Sequence, residues 1–370
     1  MLEFVDGNTA LLRAAIDAGC DFFAGYPITP ATSILLEAVR ELPPRGGVVV
    51  QGEDEIASIG MCLAAAMAGR KAMTASSGPG MSLFSETLGL AVMGEVPLVV
   101  VDVQRMGPAT GGATTSADGD VQFARWCAPG GYPLPVLAPY DVRTAYVVTR
   151  HAFNLAERLR TPVIVLSSKE VALTRQDVDL DAERGRIEVA TRTMFDGPGP
   201  YVPYRVGRAE DVPAFSPVGG PHVVRFTTSI HDERGEITGE PSKIRAKLTH
   251  LERKVRADVP GLVLAEEDLQ EGAGTLVVAY GVAAMAAREA VESLRARGVR
   301  VSLLTLLTLA PVPDGLVRAA ARGHRRIVVP EHNFGQVARE VERAVRADVV
   351  ALPRIDGGLL TPAQIAEAIA

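Results

Sequence analysis

Cysteine is scarce in this chain of 370 residues, and no cysteine pattern in it could carry chemistry alone. The three cysteines, Cys20, Cys62 and Cys127, lie far apart and form no Cys-x-x-Cys pair. They cannot build a disulfide framework, and they cannot supply the four thiolates of an iron–sulfur cluster. If the function requires such a cluster, another chain must hold it.

Histidine is also sparse, and the six histidines show no spacing that would assemble a metal site. His231 is flanked by acidic residues in the segment SIHDERG, where a solvated turn is expected rather than a metal ligand. The glycine-rich turn at residues 75–80 lacks the Gly-Lys-Ser/Thr ending of a Walker A loop and the GxGxxG fingerprint. Its serines lack the GxSxG elbow of serine hydrolases.

Long apolar runs and clusters of one charge sign are missing as well. No apolar run reaches the roughly 18 residues needed to span a bilayer, and the first residues lack the basic-then-apolar pattern of a signal peptide. The net charge is −6 and the basic residues are scattered, which argues against a nucleic-acid partner. We therefore expect a cytoplasmic protein that binds neither membrane nor nucleic acid.

What the chain does contain is an alternation of apolar strands and helices. Segments such as GVVVQG and PLVVVDV are apolar on both faces, which is typical of a parallel sheet covered by helices on both sides. The alternation covers residues 1–176, is interrupted at 177–270 by an irregular region with one helix, and resumes at 271–370. We predict an α/β fold with two parallel-sheet domains. The first helix should begin at an Asn8 cap and stop at Gly19.

Four unusual segments follow predicted strands of the first domain: YPITP, QGEDE, ASSGPG and VQRMG. Ligands of such sheets meet the loops at the carboxyl ends of the strands, so these segments predict a binding site. In the first segment, Pro27 and Pro30 exclude a helix and leave Thr29 exposed at a strand end.

Each residue singled out in these segments also has a simpler interpretation. Glu55 opens a helix, where an acid complements the helix dipole without any further role. The ASSGPG segment could be an ordinary tight turn. Arg105 ends a strand, where its guanidinium suits a carboxylate ligand, but it could equally be a surface arginine paired with Asp118 or Asp120.

Taken in order, the segments GYPITP, GEDEIAS, TASSGPGMSLFSE and QRMGPATG resemble the α subunit of 2-oxoacid:ferredoxin oxidoreductases, most closely the 2-oxoglutarate group. The resemblance extends through HDERGEITGEPSKI and RRIVVPEHNFGQ, and so covers nearly the whole chain. It implies that residues 1–176 form a pyrimidine-binding domain of the thiamine diphosphate enzymes. It also implies that residues 271–370 form a transketolase C-terminal-like domain.

The resemblance implies a CoA-dependent oxidative decarboxylation of a 2-oxoacid, with ferredoxin as the electron acceptor. Thiamine diphosphate would be shared with a β subunit, which would hold Mg²⁺ and a 4Fe–4S cluster, while the γ and δ parts of the family would be separate subunits or absent altogether. The absence of a cysteine cluster and of a GDG…N motif in this chain agrees with that division. The chain alone is expected to be inactive.

Residue roles follow from the same resemblance. Glu55 matches the glutamate that hydrogen-bonds N1′ of the cofactor's aminopyrimidine. Thr29 matches the threonine near the oxo and carboxylate groups of the substrate, and Arg105 matches the arginine that binds the carboxylate. The residues expected to line the pyrimidine pocket are Ser76, Ser77, Gly78 and Gly80.

Two alternatives stay open at this point. The first keeps the mechanism but acts on pyruvate or a branched-chain 2-oxoacid in place of 2-oxoglutarate, because Thr29 and Arg105 face only the part that all 2-oxoacids share. The second is a non-catalytic scaffold that keeps the α/β fold as an interaction module.

Overall fold

The computed structural model describes residues 2–257 and 261–369, and its strands and helices alternate for most of that length. The strands are β1 Glu3–Asp6, β2 Phe22–Gly25, β3 Val48–Gln51, β4 Ala72–Ser76, β5 Leu98–Gln104, β6 Val136–Leu137, β7 Pro162–Ser168, β8 Arg175–Val178, β9 Ala265–Asp268, β10 Thr275–Ala279, β11 Val301–Leu306, β12 Thr308–Ala310, β13 Arg326–Glu331 and β14 Asp348–Pro353. The helices are α1 Gly7–Asp17, α2 Thr32–Glu41, α3 Glu55–Met67, α4 Gly78–Met93, α5 Val121–Trp126, α6 Val142–Leu159, α7 Lys169–Leu173, α8 Leu180–Arg184, α9 Pro241–Val255, α10 Ala283–Ala296, α11 Asp314–Ala320, α12 Gln336–Ala344 and α13 Pro362–Ile369.

The larger sheet has seven strands in the order β12-β6-β7-β5-β4-β2-β3. All neighbours from β6 to β3 run parallel, as the strands that are apolar on both faces predict. In β5, Val99 and Val101 pack into one apolar cluster while Leu98 and Val100 pack into another, so both faces of the strand are buried. Helices cover the sheet on both sides, and the predicted α/β class is confirmed.

The smaller sheet has five strands in the order β14-β13-β10-β11-β9, parallel except for the edge strand β9. The two halves of the chain are linked, because β12 belongs to the second half in sequence but pairs antiparallel with β6 of the first sheet. A separate two-stranded ribbon joins β1 to β8. The domain limits at residues 176 and 270 stay a prediction.

The start of α1 differs from the prediction. Asp6, not Asn8, caps the helix, since its Oδ1 accepts a hydrogen bond from the Thr9 amide at 2.8 Å. Asn8 is instead fully buried in the first turn and donates to the Pro30 carbonyl at 3.0 Å and to Ser33 Oγ at 2.7 Å. Sequence reasoning chose the wrong one of two good capping residues. Through its hydrogen bond to Pro30, Asn8 fixes the position of the chain directly after Thr29.

The connecting region is anchored on the first domain by buried charges. It contains α8 and the edge strand β9 as well as the predicted helix α9, so residues 177–270 hold more regular structure than predicted. Arg192 pairs with Glu157 of α6 at 2.7 Å, with both side chains almost wholly buried. Helix α9 is anchored by Glu95, which lies between α4 and β5 with its carboxylate 2.7 Å from Lys247 and 2.7 Å from Lys254.

No helix within residues 2–257 and 261–369 is long and apolar enough to cross a membrane.

Candidate active site

The four predicted segments lie at one edge of the larger sheet. Strands β2, β3, β4 and β5 are joined by parallel pairings, so their carboxyl ends meet at the same edge. The segments that follow those ends carry every residue that the sequence singled out: Thr29, Glu55, Ser76, Ser77, Gly78, Gly80 and Arg105.

Glu55 is the first residue of α3, but helix capping does not account for it. Asp54 performs that role, because its Oδ1 accepts a hydrogen bond from the Ala57 amide at 2.7 Å. The Glu55 side chain is turned inward, and the residue is only 7% exposed. Within the described part of the chain, its carboxylate has no hydrogen-bond or ion-pair partner. A largely buried carboxylate without a partner is costly, and such a group calls for a ligand.

The Glu55 carboxylate faces the turn between β4 and α4. A Cβ atom placed on Gly80 would overlap Ser76 Oγ and would lie 2.7 Å from Glu55 Oε1. Only glycine therefore fits there, because the helix backbone approaches both side chains closely. Ser76 and Ser77 are fully buried, and their hydroxyl oxygens have no hydrogen-bond partner. The turn thus combines close backbone approach with unsatisfied hydroxyl groups, which an ordinary tight turn does not require.

Arg105 and Thr29 are brought together at the same edge. Arg105 follows β5, is 7% exposed, and donates from Nη1 to the Thr29 carbonyl at 2.7 Å. Its Nε is buried without a partner. Among residues 2–257 and 261–369 it forms no ion pair with Asp118 or Asp120, so the alternative of a surface arginine paired with either aspartate does not hold. Thr29 itself is exposed, as predicted. A guanidinium with free donors beside an exposed threonine suits a carboxylate ligand.

Sequence reasoning missed the fully buried Asp102 and gave the partly buried Asp120 no role beyond a possible pairing with Arg105. Asp102 of β5 is fully buried and neither of its carboxyl oxygens has a hydrogen-bond partner. Burial, and then the charge of Asp120, raise the pKa of Asp102 well above its usual range. Burial, and then the charge of Asp118, raise the pKa of Asp120 to about 6. A single acid inside the apolar strand PLVVVDV was the available signal.

Asp102 lies beside the turn that faces Glu55. It is paired in register with Ser76 across β4 and β5, and residues in register on parallel strands share a face of the sheet. Asp120 reaches the same turn, since a Cβ atom on Gly78 would lie 3.0 Å from Asp120 Oδ2. The structure therefore collects buried acids and hydroxyls behind the glycine-rich turn.

The second domain also reaches the site, which no local sequence pattern indicated. His332 follows β13 and lies against Asp118, with Nδ1 3.4 Å from Asp118 Oδ2. The Asp118 amide donates to the His332 carbonyl at 3.0 Å, and Asn333 donates to the Asp118 carbonyl at 2.8 Å. The position of His332 directly after a strand was the only signal.

His231 corrects another expectation. It is fully buried, not in a solvated turn, and its ring nitrogens lie 2.8 Å from the Asp232 carbonyl and 3.2 Å from the Met93 carbonyl. The acidic neighbours in the sequence suggested solvent, whereas the ring packs against Tyr204 at 4.1 Å between centroids. No group of three or more potential metal ligands exists within the described residues.

Comparisons with known proteins agree with the fold and with the kind of site. Residues 13–249 match the family model described as pyruvate flavodoxin/ferredoxin oxidoreductase, thiamine diphosphate-binding. Residues 273–365 match pyruvate:ferredoxin oxidoreductase core domain II. The chain belongs to the 2-oxoacid:ferredoxin oxidoreductase family and corresponds to the α subunit of its multi-chain members.

Several relatives align over almost their whole length. The 2-oxoglutarate synthase subunit KorA of Methanocaldococcus jannaschii is 38% identical, covering 100% of this chain and 99% of the relative. The ketoisovalerate oxidoreductase subunit VorB of Methanothermobacter thermautotrophicus is 35% identical over 99% of this chain and 97% of its own length.

Solved structures show the same fold. The 2-oxoglutarate:ferredoxin oxidoreductase from Magnetococcus marinus, solved with 2-oxoglutarate, coenzyme A and succinyl-CoA bound, superposes with a TM-score of 0.92 at 32% identity. It covers 100% of this chain, which spans 64% of that one. A split-gene transketolase superposes with a TM-score of 0.57 at 15% identity, which indicates a shared fold alone.

Proposed function

We propose that this chain is the α subunit of a 2-oxoacid:ferredoxin oxidoreductase that acts on 2-oxoglutarate. The reaction consumes a 2-oxoacid and CoA, yields succinyl-CoA and carbon dioxide, and passes two electrons to ferredoxin. The observation that carries the proposal is the edge of the sheet that carries both a buried Glu55, without a partner in the described residues, and an arginine whose buried Nε has no partner. The KorA relatives, aligned over nearly their whole length, support the choice of 2-oxoglutarate.

The residues at this edge fit the aminopyrimidine half of thiamine diphosphate. A protonated or hydrogen-bonding ring nitrogen would satisfy the Glu55 carboxylate, which otherwise has no partner. The unpartnered hydroxyls of Ser76 and Ser77 offer polar contacts, and the turn at Gly78 and Gly80 lets a flat ring approach the backbone. When bound, thiamine diphosphate supplies the electron sink that decarboxylation of a 2-oxoacid requires.

Each residue then has a separate task. Glu55 holds and shares a proton at the pyrimidine nitrogen, which is general acid–base work in a site largely closed to water. The guanidinium of Arg105 binds the carboxylate of the substrate with its free donors, while its bond to the Thr29 carbonyl fixes its direction. The Thr29 hydroxyl, exposed at the strand end, donates to the substrate beside that carboxylate.

The remaining parts of the reaction belong to other chains. We assign the diphosphate site, Mg²⁺ and a 4Fe–4S cluster to a β subunit, because the described residues of this chain offer no group of metal ligands and the sequence has three separate cysteines. Further γ and δ subunits and ferredoxin complete the proposed assembly in the cytoplasm. On this assignment, the chain is inactive without its β partner.

Co-expression with a candidate β-type partner chain, followed by an assay of viologen reduction, tests the function. The assay uses 2-oxoglutarate, pyruvate and 2-oxoisovalerate in parallel, each with and without CoA. Saturation at low concentration by 2-oxoglutarate alone is the expected result. Preference for another 2-oxoacid would move the chain to a different substrate group. No reduction with any 2-oxoacid would contradict the catalytic assignment and favour a scaffold.

A further inference from the structure

Residues 104–118, which we call the substrate segment, contact the second domain through a buried cluster of polar side chains. His332, Asp118 and Gln104 are each at most 3% exposed. The Leu360 amide donates to His332 Nε2 at 3.0 Å, so this nitrogen must carry a lone pair. In the neutral ring the proton is then on Nδ1, which faces Asp118 Oδ2 at 3.4 Å.

From Asp118 the contacts lead directly to the residue before Arg105. Gln104 Nε2 lies 3.5 Å from the other carboxylate oxygen of Asp118, and Gln104 Oε1 accepts from the Asp120 amide at 3.0 Å. Asp118 therefore connects the histidine of one domain with the end of β5 in the other. Arg105 is the next residue and the first beyond the β5–β7 pairing, so the contacts of the Gln104 side chain act where the chain leaves the sheet.

The middle of the segment is held by the same part of the second domain. Gly357, three residues before Leu360, has a φ of +82°, and a Cβ there would overlap Thr115 Cγ2 and lie 3.2 Å from Met106 Cε. The segment closes on itself through the bond from the Met106 amide to the Thr115 carbonyl at 3.0 Å. Residues 356–360 thus pack against the segment. His332 connects them to Asp118, because its ring contacts the Leu360 amide on one side and the Asp118 carboxylate on the other.

We propose that His332 is a positioning residue for the 2-oxoacid site, holding Asp118 and Gln104 so that Arg105 presents its guanidinium to the substrate carboxylate. The inference rests on the proposed function of Arg105. It assigns part of the substrate site to the second domain, although His332 itself does not touch the substrate.

Two substitutions test the contacts of the two ring nitrogens of His332 separately. In His332→Asn the amide nitrogen takes the place of Nδ1, so the contact with Asp118 is kept and the acceptor for the Leu360 amide is lost. In His332→Gln the amide group reaches the place of Nε2, so the Leu360 contact is kept and the donor to Asp118 is lost. His324→Gln is the matched control, since His324 precedes β13 at the opposite edge and contacts Ser302 at 2.9 Å.

In the assembled complex, we expect His332→Gln to raise the KM for the 2-oxoacid about tenfold with kcat within about twofold, the scale of one lost hydrogen bond to a charged group. His332→Asn should keep a near-normal KM although it also lowers the thermal midpoint, because it leaves the buried Leu360 amide unsatisfied. His324→Gln should change neither the KM for the 2-oxoacid nor the thermal midpoint. In the isolated chain, amide exchange at Met106 and Gly112 should be faster in His332→Gln than in His332→Asn.

A merely structural role would give a KM that follows the loss of stability, so equal KM values in the two His332 variants would overturn the inference. A fall in kcat at unchanged KM in His332→Gln would overturn it as well. Arg105→Lys, measured beside them, separates this failure from that of the proposed function. If Arg105→Lys also leaves KM unchanged, the assignment of Arg105 to the substrate carboxylate fails first.

Discussion

Two buried charge clusters lie at opposite ends of β5 and differ in how their charges are satisfied. At the amino end, the Glu95 carboxylate is surrounded by Lys247, Lys254 and His250, with all three contacts between 2.7 and 2.9 Å. Burial opposes ionisation of Glu95, but the charges of Lys247 and Lys254 outweigh it and hold its pKa well below the usual range.

At the carboxyl end, the corresponding groups lack partners. Both oxygens of Asp102 and the Nε of Arg105 are buried without a hydrogen-bond partner. The largely buried Glu55 carboxylate also forms no hydrogen bond within the described residues. Buried polar groups are normally satisfied, so the difference separates a cluster that holds the structure together from one that awaits a ligand. Unsatisfied polar groups, rather than cavity size, distinguish the functional end of this sheet.

The largest effect is expected from Glu55→Ala. In the assembled complex, turnover should fall about 10²- to 10⁴-fold, the range for a lost acid–base group, with little loss of folding stability because the carboxylate has no partner to abandon. Steady-state viologen reduction at saturating 2-oxoacid measures the change. Glu53→Ala, which removes an exposed acid two residues earlier, is the matched control and should leave turnover unchanged. Full activity in Glu55→Ala would remove the proposed role.

The opposite pattern is expected from Glu95→Gln at the other end of β5. Removing this carboxylate leaves buried Lys247 and Lys254 uncompensated, so the free energy of unfolding should fall by about 3–5 kcal/mol. Denaturant unfolding of the isolated chain measures it. Glu210→Gln provides the control, because Glu210 forms an exposed ion pair with Arg253, which lies on α9 like Lys247 and Lys254. Its loss should lower the free energy of unfolding by less than about 1 kcal/mol. A loss of unfolding free energy as small as that of the control would show that the ion pairs of Glu95 contribute little to stability.

A smaller effect, of opposite sign, is expected from Asp102→Asn. Because the pKa of Asp102 is raised in the folded protein, the folded state keeps a proton that the unfolded state releases above about pH 4, and stability falls as the pH rises. The neutral asparagine removes this loss. We therefore expect the stability of Asp102→Asn relative to the native chain to increase as the pH rises from 5 to 7.

Unfolding curves at pH 5, 6 and 7 test this dependence. Asp348→Asn, which changes an exposed aspartate at the start of β14, should give no pH-dependent difference. A destabilisation by Asp102→Asn that is equal at every pH would mean that the carboxyl group is satisfied and ionised in the folded protein.

Local sequence patterns predicted which residues lie at the carboxyl edge of the sheet, but not the contacts that those residues make with the second half of the chain. Apolar strands followed by Thr29, Glu55 and Arg105 could be read directly, because strand direction alone brings their carboxyl ends together. The contact between His332 and Asp118 joins residues 214 positions apart, so no periodicity or spacing indicated it. For Asn8 and His231, composition suggested a cap and a solvated turn, and tertiary packing overrode both.

The pairing of β12 with β6 has a consequence for synthesis of the chain. The edge of the first sheet is completed only by residues 308–310, which follow β7 by roughly 140 positions. At about 5–20 residues per second, a ribosome needs on the order of 10–30 s to add them. During that interval the edge at β6 stays unpaired on the nascent chain and is open to association with other strands. A truncated gene ending before β12 should therefore yield a protein that aggregates rather than an independent first domain.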